Sequence, residues 1–151
     1  MNIPELQLNP SLLVYHLFHL SIAYLLALLI GFDREREARS AGLRTFPIVG
    51  MASCGFVLIG IDILGMESDS QARIIYGLMT GIGFIGGGAI LKGDRGINGT
   101  ATAASIWNTG AIGAAVAYRR YEIAVALTLL NFITLRLITP LKEVVGKQSE
   151  S

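Results

Sequence analysis

Residues 77–107 read GLMTGIGFIGGGAILKGDRGINGTATAASIW, a glycine-laden apolar segment joined by a short charged loop to a small-residue apolar one. Gly77, Gly81, Gly83, Gly86, Gly87 and Gly88 fall within twelve positions of it. In a water-exposed helix each glycine costs roughly 0.5–1 kcal/mol relative to alanine. Within a bilayer the backbone has no water to bond, so the helix persists and the glycines become contact surface. The stretch predicts an all-α integral membrane protein.

The rest of the composition agrees. The chain has 151 residues, 52% hydrophobic and 15% charged, with a mean hydropathy of +0.58. Soluble domains carry about 25% charged residues. Here the charges gather at 33–44, 66–73, 92–95, 119–122 and after Pro140, between apolar runs near the ~20 residues that cross a membrane. A net charge of +1 offers no basic face for nucleic acid. Cys54 is the single cysteine, which excludes an intrachain disulfide and reads as a small buried hydrophobe. The start, MNIPELQLNP, lacks the basic region of a cleavable signal peptide.

Five transmembrane helices in one domain are expected, at about 11–32, 45–64, 71–91, 100–118 and 121–139. Asn9-Pro10-Ser11 signals the first start. That helix is expected to continue through DREREARSA, with a Glu35–Arg39 pair four residues apart, to a cap at Gly42. Thr45 can cap the second helix, with Pro47 tolerated in its first turn. Asn98-Gly99 reads as a tight turn, and Pro140 ends the fifth helix. Arg34, Arg36, Arg39, Arg44, Lys92, Arg95, Lys142 and Lys147 fall on one side, against Arg73, Arg119 and Arg120 on the other. Eight against three places the N-terminus outside and the C-terminus in the cytoplasm.

Gly77 with Gly81, and Gly83 with Gly87, form GxxxG pairs in the third helix. In the fourth, Ser105, Thr109, Gly113 and Ala117 place a small residue at every fourth position. Such stripes let membrane helices approach closely. Three readings stay open: packing within one protomer, a homodimer seam, and a backbone-lined permeation path. The glycine-rich loop 93–99 lacks the GxxxxGK[ST] order of a phosphate loop.

Charges near membrane depth need partners. Asp62 and Arg73 are expected to pair across the second hairpin, the alternative being Asp62, Glu67 and Asp69 around a divalent cation, since magnesium prefers oxygen ligands. Arg136 is expected to snorkel to the interface. Asn108 is expected to make an interhelical hydrogen bond, or else to line a polar cavity. His16 and His19 share a helix face and form a weak candidate for a pH-sensing pair. No catalytic constellation is present, so an enzyme is not expected.

Four blocks carry a family resemblance: Gly31-Phe-Asp-Arg-Glu-Arg-Glu, Ala41-Gly-Leu-Arg-Thr45, Gly81-Ile-Gly-Phe-Ile-Gly-Gly-Gly88 and Gly99-Thr-Ala-Thr-Ala-Ala-Ser-Ile-Trp107. Together they resemble the MgtC/SapB family, in its order and spacing, over about residues 15–130. The resemblance implies a multi-pass protein of the bacterial inner membrane that supports adaptation to magnesium limitation. In some members it implies acid tolerance or survival inside macrophages, a virulence association. It also implies, for some members, regulation of other membrane complexes, including the F-type ATP synthase and a P-type magnesium pump. The positions carried over are Asp33, Arg34, Glu35, Arg36, Gly42, Arg44, Thr45, Gly81, Gly83, Gly86, Gly88, Asn98, Gly99, Thr102 and Trp107.

Asp33 stands where glutamate is usual, and Thr100-Ala101 where leucine-threonine is usual. Several members have a C-terminal cytoplasmic domain that this sequence, ending at Ser151, is expected to lack; nothing placed on that domain is carried over.

The expectation is a homo-oligomer, a dimer foremost, that works through a cytoplasmic cluster of Asp33, Arg34, Glu35, Arg36, Arg44, Thr45, Asn98, Gly99, Thr102 and Trp107. Asp33 or Glu35 is expected to pair with Arg44. The rival is a magnesium or proton channel or carrier. Against it, no carboxylate falls at a helix centre, although backbone carbonyls can also line a pore.

Overall fold

Asn9 opens the first helix. Its Oδ1 accepts from the Ser11 N–H at 3.1 Å and the Leu12 N–H at 3.4 Å, and Pro10 occupies the position where a missing N–H is harmless. In the computed structural model, which describes residues 9–36, 41–93 and 96–138, this helix is α1, Pro10–Arg36. Arg39, Arg95, Lys142 and Lys147, and with them the Glu35–Arg39 pair and the end of the fifth helix at Thr139–Pro140, lie outside the described residues.

Helix α2 spans Thr45–Leu64. One local expectation fails at its start. Arg44, not Thr45, holds the N-cap position, and no side chain caps it. The Gly42 carbonyl accepts from the Phe46 N–H at 3.2 Å; the expected continuation of the first helix through residues 37–40 to a cap at Gly42 lies outside the described residues.

Helix α3 spans Gln71–Gly88, three residues short of the expected end at Leu91. Its last three positions are all glycine, the poorest helix former after proline. The chain tightens there into bonds from Ala89 N to Gly86 O at 3.0 Å and from Ile90 N to Gly87 O at 3.1 Å. Beyond Ile90, in place of a plain loop, the chain forms a small hairpin, β1 (Leu91–Gly93) against β2 (Gly96–Asn98), with Leu91 opposite Asn98. Asn98-Gly99 is therefore not its turn. Gly99 is the N-cap of α4 (Thr100–Ala117), at φ 89°. A side chain there would be strained, and its Cβ would collide with the Ala89 carbonyl oxygen. Arg119, at φ 59°, turns the chain into α5, Tyr121–Ile133, which continues as a π-helical segment, Thr134–Ile138.

Helix α4 packs against each of α1, α2, α3 and α5. It can occupy the centre because its inward positions are small or β-branched: Thr102, Ser105, Ile106, Thr109, Gly110, Ile112, Gly113 and Val116 are buried. The tightest crossing is with α2. A Cβ on Gly113 would run into the Gly50 carbonyl oxygen and lie 2.8 Å from Ser53 Cβ. Gly50 in turn faces α1, where its Cβ would lie 2.8 Å from that of Ala27.

The glycines of α3 do something else. A Cβ on Gly77, Gly81, Gly83 or Gly87 would meet nothing within 4 Å, so among the described residues neither GxxxG pair packs within the protomer. Only Gly86 makes a close contact, with its Cβ position 3.1 Å from Ala103 O on α4. This corrects the first of the three readings for α3.

Among the described residues, three helices are long and apolar enough to cross a membrane: α1, α2 and the continuous stretch Tyr121–Ile138, with mean hydropathies of 2.0, 2.0 and 1.6. Leu17, Phe18, Leu25, Leu29, Phe56, Ile63 and Leu130 are each more than half exposed. Apolar surface on that scale suits lipid rather than water.

Candidate functional site

The up-and-down order brings the end of α1, the start of α2, the α3–α4 hairpin and the end of α5 to one end of the bundle. The carried-over charged residues gather there. Asp33 and Arg34 are each only 2% exposed. Gly31 lets this end of α1 approach the α2 start, with its Cβ position 3.0 Å from Gly42 O and 3.2 Å from Phe46 Cβ.

Arg34 Nη2 donates to Asp33 Oδ2 at 2.8 Å, a buried charge-assisted bond. The other carboxylate oxygen, Oδ1, lies 3.7 Å from Arg136 Nη1 on the π-helical segment. Asp33 thus sits between two guanidinium groups, one buried and one 57% exposed.

Glu35 does not pair with Arg44. Its Oε2 accepts from the Leu43 backbone N–H at 3.0 Å and fills the space above Gly42, where any Cβ would collide with it. Among the described residues no ion pair joins Arg44 to Asp33 or Glu35, and Arg44 is exposed. Arg36 lies over the Phe32 ring, 5.3 Å from its centroid. Thr45 is half-buried, Asn98 is exposed on β2, and Thr102 is buried within α4. Trp107 does not join this end. It lines a hollow of about 290 Å³ between α3 and α4 with Ile75, Met79 and Tyr118.

Sequence reasoning assigned Arg136 only a place at the interface and missed its reach to Asp33. It missed Asn131 altogether. Asn131 Oδ1 accepts from Ser105 Oγ at 3.0 Å, while its buried Nδ2 has no partner among the described residues. An asparagine in the apolar run LTLLNFITL was the available signal. Asn108 forms the expected interhelical bond, donating to Leu127 O at 3.3 Å.

At the opposite end a second polar set replaces the expected Asp62–Arg73 pair. Asp62 Oδ2 lies 3.0 Å from His16 Nε2 instead. His19, 3% exposed, is held by Tyr15 O at 2.8 Å through Nδ1 and by Tyr121 OH at 2.9 Å through Nε2. Asp62, Glu67 and Asp69 are not gathered: among the described residues no three His, Cys, Asp or Glu side chains form a metal set.

The sign of the charge at the basic end is clear from its described members. Arg34, Arg36, Arg44, Lys92 and Arg136 stand against Asp33 and Glu35, and both carboxylates are engaged internally. Among the described residues the surface that remains is cationic, from Arg36, Arg44, Lys92 and Arg136; Glu37, Asp94 and Arg95 lie outside them. The MgtC family model matches residues 20–144, a span that takes in this whole end.

The chain belongs to the MgtC family. It is 35% identical over 130 residues to the protein SrpB of Synechococcus elongatus, covering 78% of this chain and 71% of SrpB. It is 35% identical over 112 residues to YhiD of Escherichia coli K12, a candidate magnesium transporter by its name, covering 70% of this chain and 52% of YhiD. It is 33% identical over 115 residues to MgtC of Salmonella typhimurium, covering 76% of this chain and 48% of MgtC. The chain therefore spans about half the length of the latter two relatives. No solved structure matches it. Family and apolar helices together make it a membrane protein.

Proposed function

We propose that this is a multi-pass protein of the bacterial inner membrane that supports adaptation to low magnesium or acid stress by contacting and modulating other membrane complexes, through the cationic end of its bundle. The F-type ATP synthase and a magnesium pump are the partners to try first. In this reading all five helices cross the membrane, with the N-terminus outside and the cationic end in the cytoplasm, in accord with the excess of basic residues there. It is not an enzyme and needs no resident cofactor; a magnesium ion, if handled at all, is cargo or signal. A homodimer through the outward Gly83–Gly87 stripe of α3 fits the open space at both positions.

The observation that carries the contact reading is the state of Asp33. A carrier needs an acidic group free to take up and release its ion, whereas the only buried carboxylate described is held by Arg34 at 2.8 Å and neighboured by Arg136. A positive surface with its own carboxylates internally engaged suits an acidic partner.

Cation passage is the second reading, favoured by the name of the YhiD relative and by the open glycine backbone of α3. Magnesium and proton flux into liposomes carrying the purified protein separates the two. No flux above empty liposomes, from folded protein, supports the contact reading. Flux lost in Asp33→Ala overturns it.

A further inference from the structure

Two glycine stripes, about a third of a turn apart, run along α3. Gly77 and Gly81 face α2, whereas Gly83 and Gly87 face away from it. Because the first pair carries no side chains, α2 and α3 leave a groove of about 490 Å³ between them, walled by Ile48, Phe56 and Ile85 and floored by Gly77 and Gly81. The groove is large enough for a small-molecule ligand, yet its lining is almost wholly apolar. Its one hydroxyl group, on Ser53, already donates to Val49 O at 2.7 Å. Its one charge is Arg73, in the first turn of α3. No carboxylate lines it, and among the described residues no ion pair reaches Arg73.

Helical side chains lean toward the N-terminus of their own helix. The Arg73 guanidinium is thereby carried toward the end of the bundle where α3 begins, which is headgroup depth for a helix that crosses the bilayer. Gln71 braces the same end, donating to Gly65 O at 2.8 Å and accepting from Tyr118 OH at 3.0 Å.

We infer that the α2–α3 groove is a phospholipid site: one acyl chain lies along Gly77 and Gly81, and the headgroup phosphate pairs with Arg73. A second copy of this chain is the competing occupant. A protein partner placing an apolar helix there would leave Arg73 with nothing to neutralise it, whereas a phospholipid matches both the apolar length and the terminal cation.

The test is native mass spectrometry of the detergent-purified protein titrated with palmitoyl-oleoyl phosphatidylglycerol. Wild type is expected to retain one lipid per protomer after the loosely bound lipids are stripped. Arg73→Gln should weaken retention about fivefold, near the ~1 kcal/mol that one interfacial basic residue contributes. Gly81→Leu, placed where nothing lies within 4 Å, should fill the floor and abolish retention while circular dichroism stays helical. Retention unchanged in both variants would mean ordinary annular lipid and overturn the site. So would a wild type that keeps no lipid but changes its oligomeric mass in Gly81→Leu, which would assign the groove to a second copy. If Gly81→Leu does not fold, Arg73→Gln alone decides between one specific phosphate contact and none.

Discussion

Arg136 Nη1 lies 3.7 Å from Asp33 Oδ1, so the last described helical segment reaches back to the end of the first. The contact is unequal. Arg136 is 57% exposed, whereas Asp33 and its other partner Arg34 are 2% exposed. Losing a hydrogen bond between buried charged groups costs about 1.5–3 kcal/mol. An exposed pair is worth about 0–1 kcal/mol. Asp33→Asn should therefore lower the thermal midpoint in detergent strongly, and Arg136→Gln barely. Equal effects would mean that Asp33 is not anchored by Arg34.

A second contrast comes from glycines of identical sequence character. Gly113→Ala forces a methyl group into the Gly50 carbonyl and to within 2.8 Å of Ser53 Cβ. Both neighbours belong to a packed helix and have little room to give, so a loss of about 1–3 kcal/mol is expected. Gly83→Ala meets nothing within 4 Å and improves helix propensity. Its protomer should be as stable as wild type or slightly more so. A weakened homodimer in Gly83→Ala, seen by crosslinking in membranes, would locate the seam on that stripe; an unchanged dimer would remove the seam from it.

That contrast shows what was legible in the sequence. The helical class, the family and the apolar helices follow from composition and from four ordered blocks, signals spread over many residues. Which glycine touches which neighbour depends on how helices rotate against each other, and a GxxxG spacing fits any face. The same limit explains Asp62 and Asp33. Spacing suggested Arg73 and Arg44 as partners, whereas tertiary packing supplies His16 and Arg136, from helices too distant in sequence for spacing to reveal. Local misses have local causes. Three consecutive glycines ended α3 early, and Gly99 took a positive φ as a cap rather than as a turn residue.

The Ser105–Asn131 bond joins α4 to α5 in a region with little water to replace it. Interhelical hydrogen bonds in membranes contribute about 0.6 kcal/mol on average and up to about 1.7. Ser105→Ala should cost at least that average, because it leaves both polar atoms of Asn131 unpaired where one already is. Asn131→Leu removes the unpaired amide along with the bond and should be milder. Urea or heat titration of the two variants reads the order directly. A milder Ser105→Ala would show that Asn131 has found another partner, such as water.

Arg44 and Asn98 offer the cleanest separation of function from fold. Both are exposed at the cationic end, and the expected Arg44 ion pair to Asp33 or Glu35 is not formed. Arg44 holds the N-cap position of α2, but its side chain makes no capping bond, and substitutions of exposed side chains that make no such bond usually stay within about 0.5 kcal/mol. Arg44→Ala and Asn98→Ala should therefore leave protein abundance and thermal midpoint near wild type. If the end works by contact, each should nonetheless abolish rescue of a deletion strain in low-magnesium medium. Loss of rescue together with loss of protein would assign these residues to folding instead. Full rescue by both would move the working surface away from this end. The two residues come from separate elements, the start of α2 and β2. A shared loss of function without a shared loss of stability therefore points to a surface that spans both.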